Sequence, residues 1–178
     1  MFNKSVFKVI IPAFIVSIFA FQSLMPAAEA RGVSIPKAYD LQTDGILAQE
    51  KGIPVLLEFT MHGCPFCEEV EEEVLRPMLI SGDYDNKVLV RNIKIDEDTV
   101  ITDFNGESIS YEDLASRYSV YVAPTLILVH GDGKAMGLEM VGVTTIDFYG
   151  AYLDQAINKA LTKTSTVAKP ASGDSPAS

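Results

Sequence analysis

Cysteine is scarce in this 178-residue chain, which holds only Cys64 and Cys67. Two cysteines exclude a disulfide-stapled scaffold and allow one bridge at most. Histidine is as rare, with His62 and His130 alone, so a closed zinc site needing about four ligands is not supported. Cationic residues are outnumbered, 14 Lys and Arg against 24 Asp and Glu, giving a formal net charge of −10. That balance speaks against binding to nucleic acid or to an anionic membrane surface. There is no tryptophan, and no internal repeat is visible.

What is present divides into three parts. Residues 1–30 read as a secretory signal peptide: Lys4 and Lys8 form a basic start, Val9 to Phe21 an apolar run, and Ala28-Glu29-Ala30 a small-residue cleavage site after Pro26. Cleavage is expected after Ala30. The competing reading, an uncleaved anchor from Val9 to Met25, is short for a membrane span. No cysteine lies near the cut, which excludes a bacterial lipoprotein anchor. Residues 31–162 are expected to form the folded domain, exported to a bacterial periplasm. Residues 163–178, made largely of Thr, Ser, Ala, Pro and Gly, read as a flexible low-complexity tail.

Within the domain, residues 31–39 form a leader without periodicity, and Thr43 or Asp44 can cap a helix over Gly45 to Lys51 that Gly52 ends. Val55-Leu56-Leu57-Glu58-Phe59 is apolar without alternation, as in a strand buried on both faces. A helix opens at Cys64 and buries Val70, Val74, Leu75, Met78 and Leu79, with Pro77 expected to kink or end it. Glu68, Glu69, Glu71, Glu72 and Glu73 read as its solvated face. Val88 to Ile95 is a second buried strand, and Asp96 to Ser110 a small hairpin or ordered loop turning at Asn105-Gly106. Ser110 begins a capping box for a helix to about Tyr118. Thr125 to Val129 and Ala135 to Val141 are strands joined by a tight turn at Gly131 to Gly133. A last helix follows Thr144-Thr145, with Ile146, Tyr149, Leu153, Ile157 and Leu161 inward. The order implies an α/β domain: a mixed central sheet with helices on both faces, parallel where helices connect the strands and antiparallel at the hairpin.

The chemistry concentrates at Cys64-Pro65-Phe66-Cys67. Two thiols one helical turn apart can form a reversible disulfide, and a thiolate at a helix N-terminus is stabilised by free N–H groups. Pro65 suits a first helical turn. Cys64 is the candidate nucleophile and Cys67 the resolving thiol. A permanent structural bridge across so short a loop would stabilise little, whereas Cu(I) held by both thiolates is a reasonable alternative. Glu58, a carboxylate inside an apolar strand, is costly unless it has a partner or a role. Protonated His62 could lower the Cys64 pKa, or the ring could simply be solvated; Glu68 and Glu69 oppose a thiolate. His130 reads as a turn residue.

Over most of Asp40 to Leu161 the sequence resembles the thioredoxin-fold proteins. The resemblance rests on the strand-turn-Cys64-Pro65-Phe66-Cys67-helix order, Glu58 six residues before Cys64, Ala123-Pro124-Thr125 ahead of a strand, and Gly142 after the hairpin. The segment Thr102-Asp103-Phe104-Asn105-Gly106-Glu107, ahead of Leu114-Ala115, is similar to the exported thioredoxin-like proteins of the SoxW type. The dipeptide between the cysteines resembles that of glutaredoxins, without their glutathione-binding context, and the Glu58 strand is also similar to the disulfide oxidase DsbA. The resemblance implies a thioredoxin-like fold and thiol–disulfide exchange with protein disulfides. It places Glu58 beneath the cysteines as proton shuttle for Cys67. Pro124 becomes a cis-proline, and Ala123, Pro124, Pro65 and Phe66 contact substrate. It implies no cofactor and no metal. Reduction of disulfides, sustained by a membrane electron donor, is the expected direction; a DsbA-like oxidase and a Cu(I)- or haem-maturation binding module are the alternatives. Thioredoxins usually carry Trp before the first cysteine, where this chain has Gly63, so a large contact surface is missing.

Overall fold

The computed structural model describes residues 32–167, with side chains to 164. The expected signal peptide and the tail beyond 167 lie outside the described residues. Helix α1 (Leu41–Lys51) begins one turn earlier than the sequence suggests, because Asp40 is its cap: the carboxylate accepts from the Thr43 amide at 3.0 Å and the Thr43 hydroxyl at 2.7 Å. Neither expected cap, Thr43 or Asp44, takes that position: Thr43 is the residue Asp40 caps onto, and Asp44 is buried and ion-paired with Arg91, whose Nε donates to Oδ2 at 2.7 Å. Gly52 closes the helix at φ 65°, a conformation costly for other residues.

Strand β1 (Val55–Thr60) is buried along its whole length and is central. Beside it lie β2 (Leu89–Lys94), β5 (Thr125–Val129) and β6 (Ala135–Val141), in the order β2-β1-β5-β6. β1 pairs parallel with β2 but antiparallel with β5, and β5 antiparallel with β6. The expectation of parallel pairing through helices therefore holds for β1 and β2 alone. The connection from β2 to β5 leaves and re-enters at the same end of the sheet, which reverses β5. It contains a separate antiparallel hairpin, β3 (Val100–Thr102) with β4 (Ser108–Ser110), then α4 (Tyr111–Arg117), capped by Ser110 Oγ accepting from the Asp113 amide at 3.0 Å. Buried Asp103 holds the turn of this hairpin, accepting from the amides of Asn105 (2.8 Å) and Glu107 (2.9 Å) and from Arg117. Residues 36–38, in the leader without periodicity, line the outer edge of β2: Asn92 N–H donates to Pro36 O at 2.8 Å and Ala38 N–H to Asn92 O at 2.9 Å.

The helix after the cysteines continues past Pro77 rather than ending there. It runs as α2 (Pro65–Val70), a π turn (Glu71–Leu75) and α3 (Arg76–Ser81). A proline cannot donate its own helical bond and crowds the carbonyl four residues back. The wider turn ahead of it, where Arg76 N–H reaches Glu71 O five residues back, relieves both problems. Helix α5 (Ile146–Val167) extends five residues beyond the expected domain end at 162. Lys163 Nζ donates to Met136 O at 2.6 Å and Thr164 Oγ1 to Gly52 O at 2.8 Å, binding this turn to the domain despite its tail-like composition.

Alternation along β1 divides the core between the two faces of the sheet. Val55, Leu57 and Phe59 pack with Leu41, Ala48, Tyr111 and Leu114. Leu56 packs with Val70, Leu75, Tyr149, Leu153 and Ile157, so α2, α3 and α5 cover the opposite face. At the end of the sheet remote from Cys64, the Phe104 ring of the β3–β4 turn lies against Gly45 and Gly133, and a Cβ at Gly45 would collide with the backbone carbonyl of Gly131. Gly45→Ala is expected to destabilise the domain by about 1–3 kcal/mol, because backbone cannot yield as a side chain can; a urea midpoint equal to that of the unsubstituted protein would contradict this close packing.

Candidate functional site

Strand β1 delivers the chain to one end of the sheet, where Met61 to Gly63 turn it into α2. Gly63, at φ 62°, supplies the left-handed step that this turn requires. Cys64 caps α2: its backbone is extended, and its Sγ accepts from the Cys67 amide at 3.2 Å. Cys64 is half-buried and Cys67 is 2% exposed. The two sulfurs are bonded at 2.17 Å with their Cα atoms 5.3 Å apart. Pro65 and Phe66, between them, project outward and are exposed. The arrangement offers one thiol to an incoming disulfide and keeps the other behind it.

The Ala123–Pro124 peptide is cis. Register places it beside the cysteine turn, since Phe59 faces Thr125 and the two segments just beyond that pair leave the sheet at the same end. Gly142 N–H donates to Pro124 O at 2.8 Å, so the residue singled out after the hairpin fixes the proline loop. Pro124 is buried and Ala123 half-buried, while Met61, Phe66, Tyr121 and Val122 are exposed large apolar side chains on this end. Cys64, Cys67, Pro65, Phe66, Ala123 and Pro124 are thus gathered together. The segment 102–107 is not among them; it packs at the far end of the sheet through Phe104.

Glu58 points to the face of β1 covered by α2, α3 and α5. It is 0% exposed. Oε2 accepts from Asn92 Nδ2 at 2.9 Å, and the same amide donates to Thr60 Oγ1 at 3.1 Å. Oε1 has no protein partner. Burial pushes the Glu58 carboxyl up to about 8, with the Asn92 hydrogen bond opposing and the Glu71 charge adding to the rise. At neutral pH it is a carboxylic acid able to exchange a proton.

His62 does not reach toward Cys64. Its amide donates to both Asp96 oxygens at 3.0 and 2.9 Å, and its Nδ1 lies 3.0 Å from Asp96 Oδ1. Burial works to raise the Asp96 carboxyl, but the His62 amide and ring outweigh it and hold it below the ordinary range. The acidic run is solvated as expected at Glu68, Glu72 and Glu73, whereas Glu71 is half-buried with its carboxyl raised by burial; Arg76 pairs with Glu71 at 3.7 Å and Glu72 at 3.5 Å. Among the described residues, no group of three or more His, Cys, Asp or Glu converges to hold a metal ion. Sequence reasoning missed Asn92, although a buried amide in an apolar strand carries the same signal as Glu58. It also missed Arg76 and the polar end of Tyr149, for which sequence offers no signal.

The chain matches the model of the thioredoxin-like domain family over residues 41–157. No curated protein matches it. Among solved structures it is similar to a thioredoxin from Thermus thermophilus, at 19% identity and a TM-score of 0.53, over 76% of this chain and 95% of that one. It is also similar to the DsbH oxidoreductase, at 14% identity and a TM-score of 0.53, over 82% of this chain and 98% of that one. At such identities the likeness bears on the fold alone, and it agrees with the mixed sheet flanked by helices. On the family match and the architecture together, this chain belongs to the thioredoxin-like domain family.

Proposed function

We propose that this protein is an exported thiol–disulfide oxidoreductase of the SoxW type that reduces protein disulfides. The observation that carries the redox reading is a half-exposed Cys64 with Cys67 buried one turn behind it and a proton-holding Glu58 in the same layer. In the dithiol, the Cys64 thiolate attacks a substrate disulfide and expels one substrate sulfur as a thiol. The Cys67 thiolate then attacks Cys64 Sγ, releasing the second; two electrons pass to the substrate and the Cys64–Cys67 bond forms. The ionised fraction of Glu58, the minor form at neutral pH and half of the population near pH 8, serves as the acceptor for the proton of Cys67. The amide and carbonyl of Ala123 take no part in the hydrogen bonds of the described residues, which leaves them for an extended substrate strand, with Pro124, Pro65 and Phe66 supplying its apolar contacts.

The surroundings of Cys64 favour reduction. A disulfide is strongly oxidising when its dithiol form is stabilised. Here the thiolate would have the Cys67 amide, but His62 is engaged by Asp96 and the next charges along the helix are Glu68 and Glu69. A poorly stabilised thiolate makes a good electron donor, which a membrane electron donor would have to restore in an oxidising periplasm. Equilibration against glutathione tests the direction. A potential near the thioredoxin value of about −270 mV is expected, and one near the DsbA value of about −120 mV would establish an oxidase instead. Tight Cu(I) retention without turnover would replace both with a binding module. Export rests on the leader sequence, and the N-terminus of the exported protein is expected at Arg31; a protein retaining Met1 would be anchored or unexported.

A further inference from the structure

Among the described residues, three buried side-chain atoms lack a hydrogen-bond partner in the protein: Glu58 Oε1, Tyr149 OH and Arg76 Nε. They come from three different elements, β1, α5 and the start of α3, and those elements meet on one face of the sheet. Leu56, two residues before Glu58 on that face, belongs to the same buried cluster as Tyr149 and Leu75, the residue before Arg76. Glu58 feels the charges of Glu71 and Arg76, and Tyr149 that of Glu58. Buried polar atoms without partners are rare and costly, and three gathered in one layer call for a shared partner. Water is the partner that can accept from a hydroxyl and a guanidinium while donating to a carboxyl oxygen.

The exposure of these residues rises in order. Glu58 is 0% and Tyr149 4% exposed, and the Glu71 and Arg76 side chains are 22% and 37% exposed. The π turn Glu71–Leu75 lies at the outer end, where its wide winding sets Glu71 and Arg76 beside each other. Such turns recur at functional positions.

We propose that water held among Glu58 Oε1, Tyr149 OH and Arg76 Nε connects the buried carboxyl to solvent at the Glu71–Arg76 pair, making Tyr149 and Arg76 positioning residues that govern when Glu58 releases its proton. This rests on the redox reading of Glu58 and extends it by giving the proton taken from Cys67 a way out on the helix flank. The proton leaves Glu58, the bridging water accepts it while passing one of its own to the Glu71 carboxylate, and Glu71 returns it to bulk water; no electrons move. Tyr149, its hydroxyl kept protonated by burial, serves as a donor. The other neighbours of Glu58 are neutral Asn92, its register partner on β2, and apolar Leu126, its register partner on β5; cationic Lys94 of β2 acts on Glu71.

The test is an infrared titration of the carboxylic acid band that Glu58→Gln removes, on the folded protein with its disulfide intact. Tyr149→Phe takes away a donor that holds and polarises the bridging water, and Arg76→Gln a positive charge, so both are expected to raise the proton affinity of Glu58 by about three- to tenfold. Glu71→Gln removes a negative charge and is expected to lower it by a similar factor. Opposite signs on one band separate a charge relay from general loosening of the core. A midpoint unmoved in Tyr149→Phe, or three shifts of one sign, would overturn the inference. If Tyr149→Phe does not fold, Arg76→Lys carries the test: it keeps the charge and removes the Nε donor, so a raised midpoint supports the inference and an unmoved one overturns it. The titration needs no turnover, so disulfide reduction assayed on the same samples reports separately on the redox reading.

Discussion

Cys64→Ser is expected to abolish disulfide exchange, lowering kcat/KM by on the order of a thousandfold or more, whereas Cys67→Ser is expected to keep the first attack and stall as a mixed disulfide. The asymmetry follows from burial. Cys64 is half-buried at the turn, with its Sγ meeting the Cys67 amide at 3.2 Å, while Cys67 is 2% exposed and cannot meet a protein disulfide directly. Serine at 64 caps the helix as well as cysteine does, so the fold persists, but its hydroxyl is not ionised near neutral pH and does not attack sulfur. Serine at 67 leaves the nucleophile in place and removes only its resolution. The bridge closes a very short loop, so neither variant should lose much stability with it. Insulin-type reduction measures the first effect, and intact mass after incubation with a disulfide substrate measures the second. Equal loss of activity in both variants without a trapped adduct would mean that the cysteines do not divide the work, and comparable activity in Cys64→Ser would remove the enzymatic reading altogether.

What sequence could and could not disclose follows from where each interaction is made. The buried strand, the helix opening at Pro65, the Ser110 cap and the tight turn before Lys134 are local, set by residues within a few positions of one another. The inward face of α5 could be read as well, since Tyr149, Leu153 and Ile157 share a helical stripe. The direction of β5 was hidden because it depends on where a thirty-residue connection returns, which no periodicity encodes. Asp44 looked like a cap until Arg91, 47 residues away, claimed it. Asp40 did the capping instead. Pro77 predicts a kink or a stop, and nothing local in the sequence signals the π turn that accommodates it. His62 shows the same limit at the site itself: its distance from Cys64 along the chain is two residues, yet its partner is Asp96, 34 residues on. Glu58 was legible as an anomaly in an apolar strand. The amide that holds it and the unpartnered atoms near it were not, because they arrive from three other elements.

Glu58→Gln is expected to separate stability from rate in a pH-dependent way. The folded carboxyl sits at about 8 against an ordinary value of 4.5, so between those limits the native protein holds a proton that the unfolded chain has lost. Stability associated with that proton is complete below about pH 4.5 and is lost as pH rises toward 8, an amount on the order of 5 kcal/mol. Glutamine has the size of the neutral acid and never charges. It can keep an oxygen for the Asn92 amide, so the variant should be nearly as stable as the parent at pH 5 and more stable at pH 9. The slope of urea midpoint against pH, attributable to this group, should vanish. Catalysis moves the other way, because glutamine has no ionised form to take the Cys67 proton while the ionised fraction of Glu58 can: resolution of the mixed disulfide should slow by about tenfold near pH 7 and by more toward pH 8, where more of Glu58 is ionised, with the first attack by Cys64 little changed. Parallel pH–stability curves for the two proteins would show that the carboxylate is not destabilised by burial. Unaltered resolution in a variant that gains stability at high pH would show a destabilising acid that does no chemistry. Burial without a full set of partners is the common cause of both expected effects, since the energy that keeps the proton on Glu58 in the folded state also tunes it to take and release one near neutral pH.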